Sequence, residues 1–144
     1  MYFADTVAGK AFSKDPAVVR FKDKYWLYYS VPPFQGKNGK GWTIGVANSD
    51  NLVDWTKAGE LHNTGEAEKN GFTAPGAIVL NDKVHLFYQT YGNEKNDSIC
   101  HAWSDDGLNF TRDPSNPIFQ PTGNWTSGRA IDADVIVFKD KLLL

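Results

Sequence analysis

The chain has 144 residues and carries 15 Lys and Arg against 17 Asp and Glu, a formal net charge of −2; this gives no basic field to draw nucleic acid or an anionic membrane surface, and neither partner is expected. No apolar run approaches membrane-spanning length, and the opening Met1-Tyr2-Phe3-Ala4-Asp5 has neither the basic leader nor the apolar core of a signal peptide. A single cysteine, Cys100, excludes an internal disulfide and a thiolate zinc site, whereas 14% aromatic residues suit strand cores and sugar-stacking surfaces equally.

Residues 1–13 are short and mixed, and read as a lead-in or as a strand that pairs with a later unit. A pattern then begins that returns twice, over 15–29, 74–88 and 132–144. Each copy has an apolar run, an x-Asp-Lys turn and a second apolar or aromatic run, which is the signature of two strands joined by a tight polar turn. The turn aspartates Asp23, Asp82 and Asp140 recur at spacings of 59 and 58 residues. Between copies a second phrase repeats: Ile44-Gly45-Val46-Ala47-Asn48-Ser49-Asp50, ending at Trp55-Thr56, resembles Ile99-Cys100-His101-Ala102-Trp103-Ser104-Asp105, ending at Phe110-Thr111. A unit of nearly sixty residues therefore holds four antiparallel strands, as a propeller blade does.

The expected fold is all-β, a partial five-bladed β-propeller of about two and a half blades. Blade one is expected over about 12–61, blade two over about 72–119, and the first hairpin of blade three over about 129–144. A Pro- and Gly-rich insertion, Pro32 to Gly41, separates the second and third strands of blade one, and 92–97 is its counterpart in blade two. The last strand of blade two is expected to end at Phe110, with Thr111 to Pro117 a rigid connector. No segment reads as a convincing helix. The chain stops inside an apolar strand at Leu142-Leu143-Leu144, which leaves an edge in need of cover; it reads as the front part of a longer propeller, or as a piece completed by association, for example as a homodimer.

In a propeller the first strand of each blade lines the central channel, and the start of each copy sets a side chain at its mouth. Those three positions hold Asp15, Ala74 and Asp132. Ala74 indicates that the repeat needs no charge there, so two acids near the axis are candidates for acid–base work on a substrate. Asp134, two residues on and on the same face of its strand, is the rival of Asp132. Trp42, Phe72, Trp125 and Arg129 lie in loops or at strand entries and are candidates to stack on or bind a sugar, while Trp26, Trp55 and Trp103 read as core. His85 and His101 alternate with apolar residues inside strands and read as structural; no metal site and no cofactor is expected. Asn96-Asp97-Ser98, Asn109-Phe110-Thr111 and Asn124-Trp125-Thr126 are formal glycosylation sequons of a kind that arises by chance.

The blade starts Lys14-Asp15-Pro16-Ala17-Val18, Phe72-Thr73-Ala74-Pro75-Gly76 and Ala130-Ile131-Asp132-Ala133-Asp134-Val135 resemble those of the five-bladed propeller glycosidases. The nearest resemblance is to glycoside hydrolase family 43, in a clan with families 32, 68 and 117, and the Ser49, Asp50, Leu52 and Trp55 phrase resembles a recurring blade ending of that clan. The resemblance implies an inverting hydrolase of glycosidic bonds in plant or algal polysaccharides, of arabinofuranosidase or xylosidase type, with Asp15 as general base and Asp132 as the residue that tunes the acid and orients the sugar. The family's general acid is a Glu on blade four, expected beyond Leu144. Glu60, Glu66, Glu68 and Glu94 stand in connectors and loops and are not expected to replace it, so these residues alone are expected to be inactive. Arg112-Asp113-Pro114 mimics a motif of the sucrose-cleaving family 32, but it follows a blade's last strand instead of opening a blade, and Lys14-Asp15-Pro16-Ala17 differs from that family's Asn-Asp-Pro-Asn-Gly. The competing reading is a non-catalytic carbohydrate-binding or interaction propeller in which the two aspartates only hydrogen-bond hydroxyls. A polysaccharide substrate favours a periplasmic or extracellular setting, and a cytoplasmic one is also compatible with the cysteine content.

Overall fold

A computed structural model describes residues 3–34 and 41–144. Strands β1 (Lys14–Phe21), β2 (Lys24–Val31), β3 (Thr43–Ser49) and β4 (Thr56–Leu61) form one antiparallel sheet in sequential order. Strands β5 (Phe72–Leu80), β6 (Lys83–Thr90), β7 (Ile99–Ser104) and β8 (Thr111–Arg112) form a second, and β9 (Ile136–Phe138) with β10 (Lys141–Leu143) a hairpin. The only helical elements among the described residues are two single 3-10 turns, Glu66–Glu68 and Glu94–Asn96. The result is all-β: two propeller blades and the opening hairpin of a third.

The repeated Asp-Lys phrase acts through its turn. Lys22-Asp23, Asn81-Asp82 and Lys139-Asp140 all have positive φ, between 47° and 61°, the backbone of a tight hairpin whose twist matches the strands it joins. The lysine after each of the first two aspartates pairs with the acid that follows the neighbouring strand: Lys24 with Asp50 and Lys83 with Asp105. These two acids lie within the second repeated phrase. There Ser49 Oγ accepts the amides of Asn51 and Leu52, and Asn51 Oδ1 those of Val53 and Asp54; Ser104 and Asp106 make the same set with Asp106, Gly107, Leu108 and Asn109. Side chains thus take over the backbone donors of each phrase and hold it as a turn. As a result β4 and β8 begin after Trp55 and Phe110; the sequence put the end of the last strand of blade two at Phe110, and Thr111-Arg112 is strand where a connector was expected.

The two sheets stack through a core of Phe21, Trp26, Tyr28, Ile44, Val46 and Leu61 against Phe72, Val84, Leu86, Tyr88, Cys100 and Ala102. Burial pushes the Cys100 thiol up to about 12, so it is inert packing. A smaller cluster of Phe87, Ile99 and Ala130 begins the junction with blade three, whose hairpin leaves Ile136, Phe138 and Leu142–Leu144 about half exposed. The leading segment turns out to fold onto blade one: Phe3 packs edge-on against Tyr29 at 5.2 Å, and buried Asp5 accepts the Tyr29 hydroxyl, the Lys57 ammonium and the Val7 amide. Burial alone would raise the Asp5 carboxyl; Lys57 and the two other donors outweigh it and hold the group below the usual carboxylate range. Most of the insertion expected from Pro32 to Gly41 lies outside the described residues.

Candidate active site

The repeated blade start is a bulge. In blade one Lys14 pairs with Ser30 and Ala17 with Tyr28, so Asp15 and Pro16 together oppose Tyr29; in blade two Ala74 and Pro75 together oppose Tyr88. Proline is tolerated inside these strands because the bulge leaves its position without a ladder hydrogen bond. The first bulge residue takes the left-handed region, φ 52° at Asp15 and 50° at Ala74, and Asp132 repeats it at 54° in blade three. For a residue with a Cβ this costs about 1–2 kcal/mol. Bulges re-aim side chains and recur beside active sites; here they turn three homologous side chains toward one opening.

Asp15, Ala74 and Asp132, with the two or three residues after each, line a cavity of about 460 Å³ between the first strands of the blades. Asp134 lies in the same wall, its Oδ1 accepting the Val135 amide at 2.8 Å. At the mouth, Asp15 and Asp132 share a smaller recess with Lys14, Trp42, Thr73, Gln89 and Tyr91. Trp42 is held there by a close approach of two loops: Gly41 has φ 79°, and a Cβ on it would fall 1.9 Å from the Asn70 carbonyl, while the Trp42 carbonyl accepts the Phe72 amide at 2.9 Å. The indole packs between Phe12 at 5.8 Å and Tyr91 at 5.9 Å, with the Lys14 ammonium over it at 5.8 Å.

Neighbouring blades support the bent residues. Asp15 Oδ2 accepts the Ser30 hydroxyl at 2.7 Å and the Lys14 ammonium at 3.1 Å, and Ser30 Oγ accepts the Ala74 amide at 3.0 Å. At the same register of blade two, Gln89 Oε1 accepts the Asp132 amide at 2.7 Å. Ser30 and Gln89 were missed in the sequence, although both are polar residues near the ends of second strands and stand 59 apart, as Asp15 and Ala74 do.

Of the six residues expected at the site, Asp15, Asp132 and Trp42 come together and three do not. Phe72 is fully buried between the blades, 5.5 Å from the Tyr88 ring and beneath the Arg112 guanidinium, and presents no face to the mouth. Arg129 is committed to a buried partner, Asp97, through Nε at 3.1 Å and Nη2 at 2.8 Å. Trp125, at 87% the most exposed large apolar side chain among the described residues, lines with Arg129 a different and more apolar cavity beside Phe119 and Pro121. No glutamate lines either Asp15 cavity: Glu68 is bound to Arg112 and Tyr88, Glu66 to Lys69, and Glu60 to Thr43. Asp113 lines neither Asp15 cavity and holds His101 Nδ1 at 3.0 Å, while His101 Nε2 meets His85 Nδ1 at 3.0 Å.

Residues 8–141 match the family profile described as the glycosyl hydrolases family 32 N-terminal domain. The chain belongs to glycosyl hydrolase family 32. Among solved structures, this family 32 domain is similar to a family 32 beta-fructofuranosidase of Bombyx mori, at 25% identity and TM-score 0.72 over 90% of this chain and 28% of that one. It is similar also to a family 117 glycoside hydrolase of the marine bacterium Zobellia galactanivorans, at 19% identity and TM-score 0.75 over 98% and 49%, and to a thermostable family-43 glycoside hydrolase, at 26% and 0.67 over 96% and 42%. The chain thus spans less than half of each of these structures. No curated protein sequence matches it significantly. A propeller of the glycoside hydrolase clan is the reading that stands; family 43, which the blade-start phrases resembled most, is one of several neighbouring families, because short phrases that encode a shared bulge do not separate members of one clan.

Proposed function

We propose that this domain is the front part of a glycoside hydrolase in which Asp15 and Asp132 act on a sugar seated at the channel mouth. What supports the reading is that two carboxylates from blades one and three line the same recess as Trp42, in a chain of family 32. Asp15 is the carboxylate that activates water as general base, Asp132 orients the sugar and the acid, and Trp42 offers an aromatic face to the ring. No glutamate lines the recess of Asp15 and Asp132, so the proton donor is supplied from elsewhere in the intact protein or by a partner; hydrolysis needs both an acid and a second carboxylate. The substrate class is a terminal glycoside of plant or algal polysaccharide. Arabinofuranoside and xyloside are the first choice, and a β-fructofuranoside is the second, favoured by the family profile and by the Bombyx mori relative.

Incubation of the intact protein, with the part or partner that supplies the acid, with nitrophenyl arabinofuranoside, nitrophenyl xyloside and sucrose tests the reading. Asp15→Asn is expected to lower turnover by about 10²–10⁴-fold, the usual weight of a positioned acid or base. Inversion at the anomeric carbon, read by NMR of the first-formed product, is expected if water sits between base and acid; retention would make Asp15 the nucleophile. Saturable sugar binding without turnover, unaffected by Asp15→Asn, would replace the enzyme by a carbohydrate-binding propeller.

A further inference from the structure

The Ser30 hydroxyl occupies a junction whose proton directions are forced. Ser30 is fully buried. Its Oγ lies 2.7 Å from Asp15 Oδ2, 2.6 Å from Thr73 Oγ1 and 3.0 Å from the Ala74 amide nitrogen. An ionised carboxylate only accepts, so Ser30 spends its one proton on Asp15. The Ala74 N–H can only donate, and Thr73 must therefore donate too. Both lone pairs and the single proton of Ser30 are then in use, and its rotor has one setting.

From this geometry we infer that Ser30 is a positioning residue for Asp15, fixing which carboxylate oxygen reacts; the inference rests on the reading of Asp15 as the base. Oδ2 is held by Ser30 and by Lys14, at 2.7 and 3.1 Å. A proton arriving on Oδ2 would face a hydroxyl whose lone pairs are already taken by Thr73 and Ala74. Oδ1 is the oxygen left to receive the proton from water. The other blade supplies the comparison: Gln89 at this register caps the Asp132 amide just as Ser30 caps that of Ala74, but the bulge residue of its own blade is Ala74, which has no carboxylate to hold. Capping the next blade is thus served by either side chain, and Ser30 adds the bond to Asp15. The Ala74 amide, Ser30 and Asp15 form one polarised chain that crosses the blade junction.

Two measurements test this. In the amide NMR spectrum of the purified protein, the Ala74 resonance is expected to shift as the solution is acidified. It is expected to stay flat in Asp15→Asn and in Ser30→Ala, and to shift again in Ser30→Thr, which restores the hydroxyl. A flat Ala74 resonance in the unsubstituted protein, or a full shift in folded Ser30→Ala, overturns the proposal with no need of substrate. In turnover of the glycosides above by the intact protein with its acid, Ser30→Ala is expected to lower kcat by about 10–100-fold with KM within about threefold, and Ser30→Thr to recover most of it. If Asp15→Asn is inactive while folded Ser30→Ala keeps its kcat, Ser30 is not a positioning residue. If Asp15→Asn itself keeps its activity, the reading of Asp15 as base fails instead.

Discussion

Replacing Glu68 by alanine is predicted to cost about 3–5 kcal/mol, the price of leaving a buried charge without its partner. Glu68 ends the 3-10 turn in the connector between the blades, and its side chain is 4% exposed. Its Oε1 accepts Tyr88 Oη at 2.6 Å and Arg112 Nε at 2.7 Å, and its Oε2 accepts the Thr64 amide at 3.1 Å. Arg112 is only 16% exposed and lies over the Phe72 and Tyr88 rings at 5.4 and 5.7 Å, so water cannot fully replace the lost carboxylate. The alanine variant keeps this cation, strands the fully buried Tyr88 hydroxyl, and releases the connector; an unsatisfied buried hydroxyl alone costs about 1–3 kcal/mol. Pairing Glu68→Leu with Arg112→Met removes both charges, and the double variant is expected to be more stable than Glu68→Leu alone. Urea unfolding at pH 7, followed by tryptophan fluorescence, reads the effect as a midpoint lowered by about 1–2 M. A loss below about 1 kcal/mol, or a double variant that loses as much as the two single ones summed, would refute the reasoning.

Gly107 sits at φ 83° in the turn of blade two, with its carbonyl accepting the Tyr28 hydroxyl of blade one at 2.8 Å. A Cβ there would lie 2.6 Å from the Trp26 ring, so Gly107→Ala is expected to lose about 2–4 kcal/mol in urea unfolding; a loss under 1 kcal/mol would mean that the blades yield at this point. Acid is expected to destabilise the fold in two windows. Burial and the adjacent His101 lower the His85 pKa below its ordinary 6.5, so the unfolded chain takes up this proton first and stability falls as pH drops through 6.5. The Ser115 and His101 side chains, with the Ser115 amide, hold the Asp113 carboxyl at about 2, and its contribution is complete above 3.8 and lost as pH falls toward 2. His85→Gln should flatten the first window in urea midpoints taken from pH 7.5 to 5 and leave the second; an unchanged first slope would remove His85 from the account.

The blade repeat was legible because each of its parts is local. An x-Asp-Lys turn and a Ser-x-Asx turn are chosen by a few adjacent residues, and the two phrases place eight strands before any tertiary contact is known. The misplacement of Phe72 has a physical source in the bulge. One extra residue at Ala74-Pro75 shifts the alternation of β5, so Phe72 shares the face of Ala77 and Val79 and joins the core between the blades. Strict alternation across that stretch would put it on the other side. Arg129 was misjudged for a different reason: its partner Asp97 is 32 residues away, at 1% exposure in the loop of another blade, and no local pattern encodes that pair. The same holds for the aspartate–histidine chain of Asp113, His101 and His85, in which the histidines read as lone strand residues and Asp113 as part of a connector.

Positions where the repeat holds and positions where it breaks do different work. The Lys24–Asp50 and Lys83–Asp105 pairs, the left-handed hairpin turns and the left-handed bulge residue recur whatever the side chain at the channel, so they serve the scaffold. The breaks fall in coupled pairs: Asp15 against Ala74, and Ser30 against Gln89 at the position that supports them. A blade that needs only to be a blade keeps alanine at the mouth and uses glutamine to cap the next bend. A blade that presents a carboxylate replaces the cap by a hydroxyl able to serve both bonds. Local strain is common to all three blades, about 1–2 kcal/mol for each left-handed residue, and alanine shows that the fold tolerates it without any charge at that place. The strain therefore belongs to the architecture, and a carboxylate is an addition that the strained backbone happens to aim at the channel.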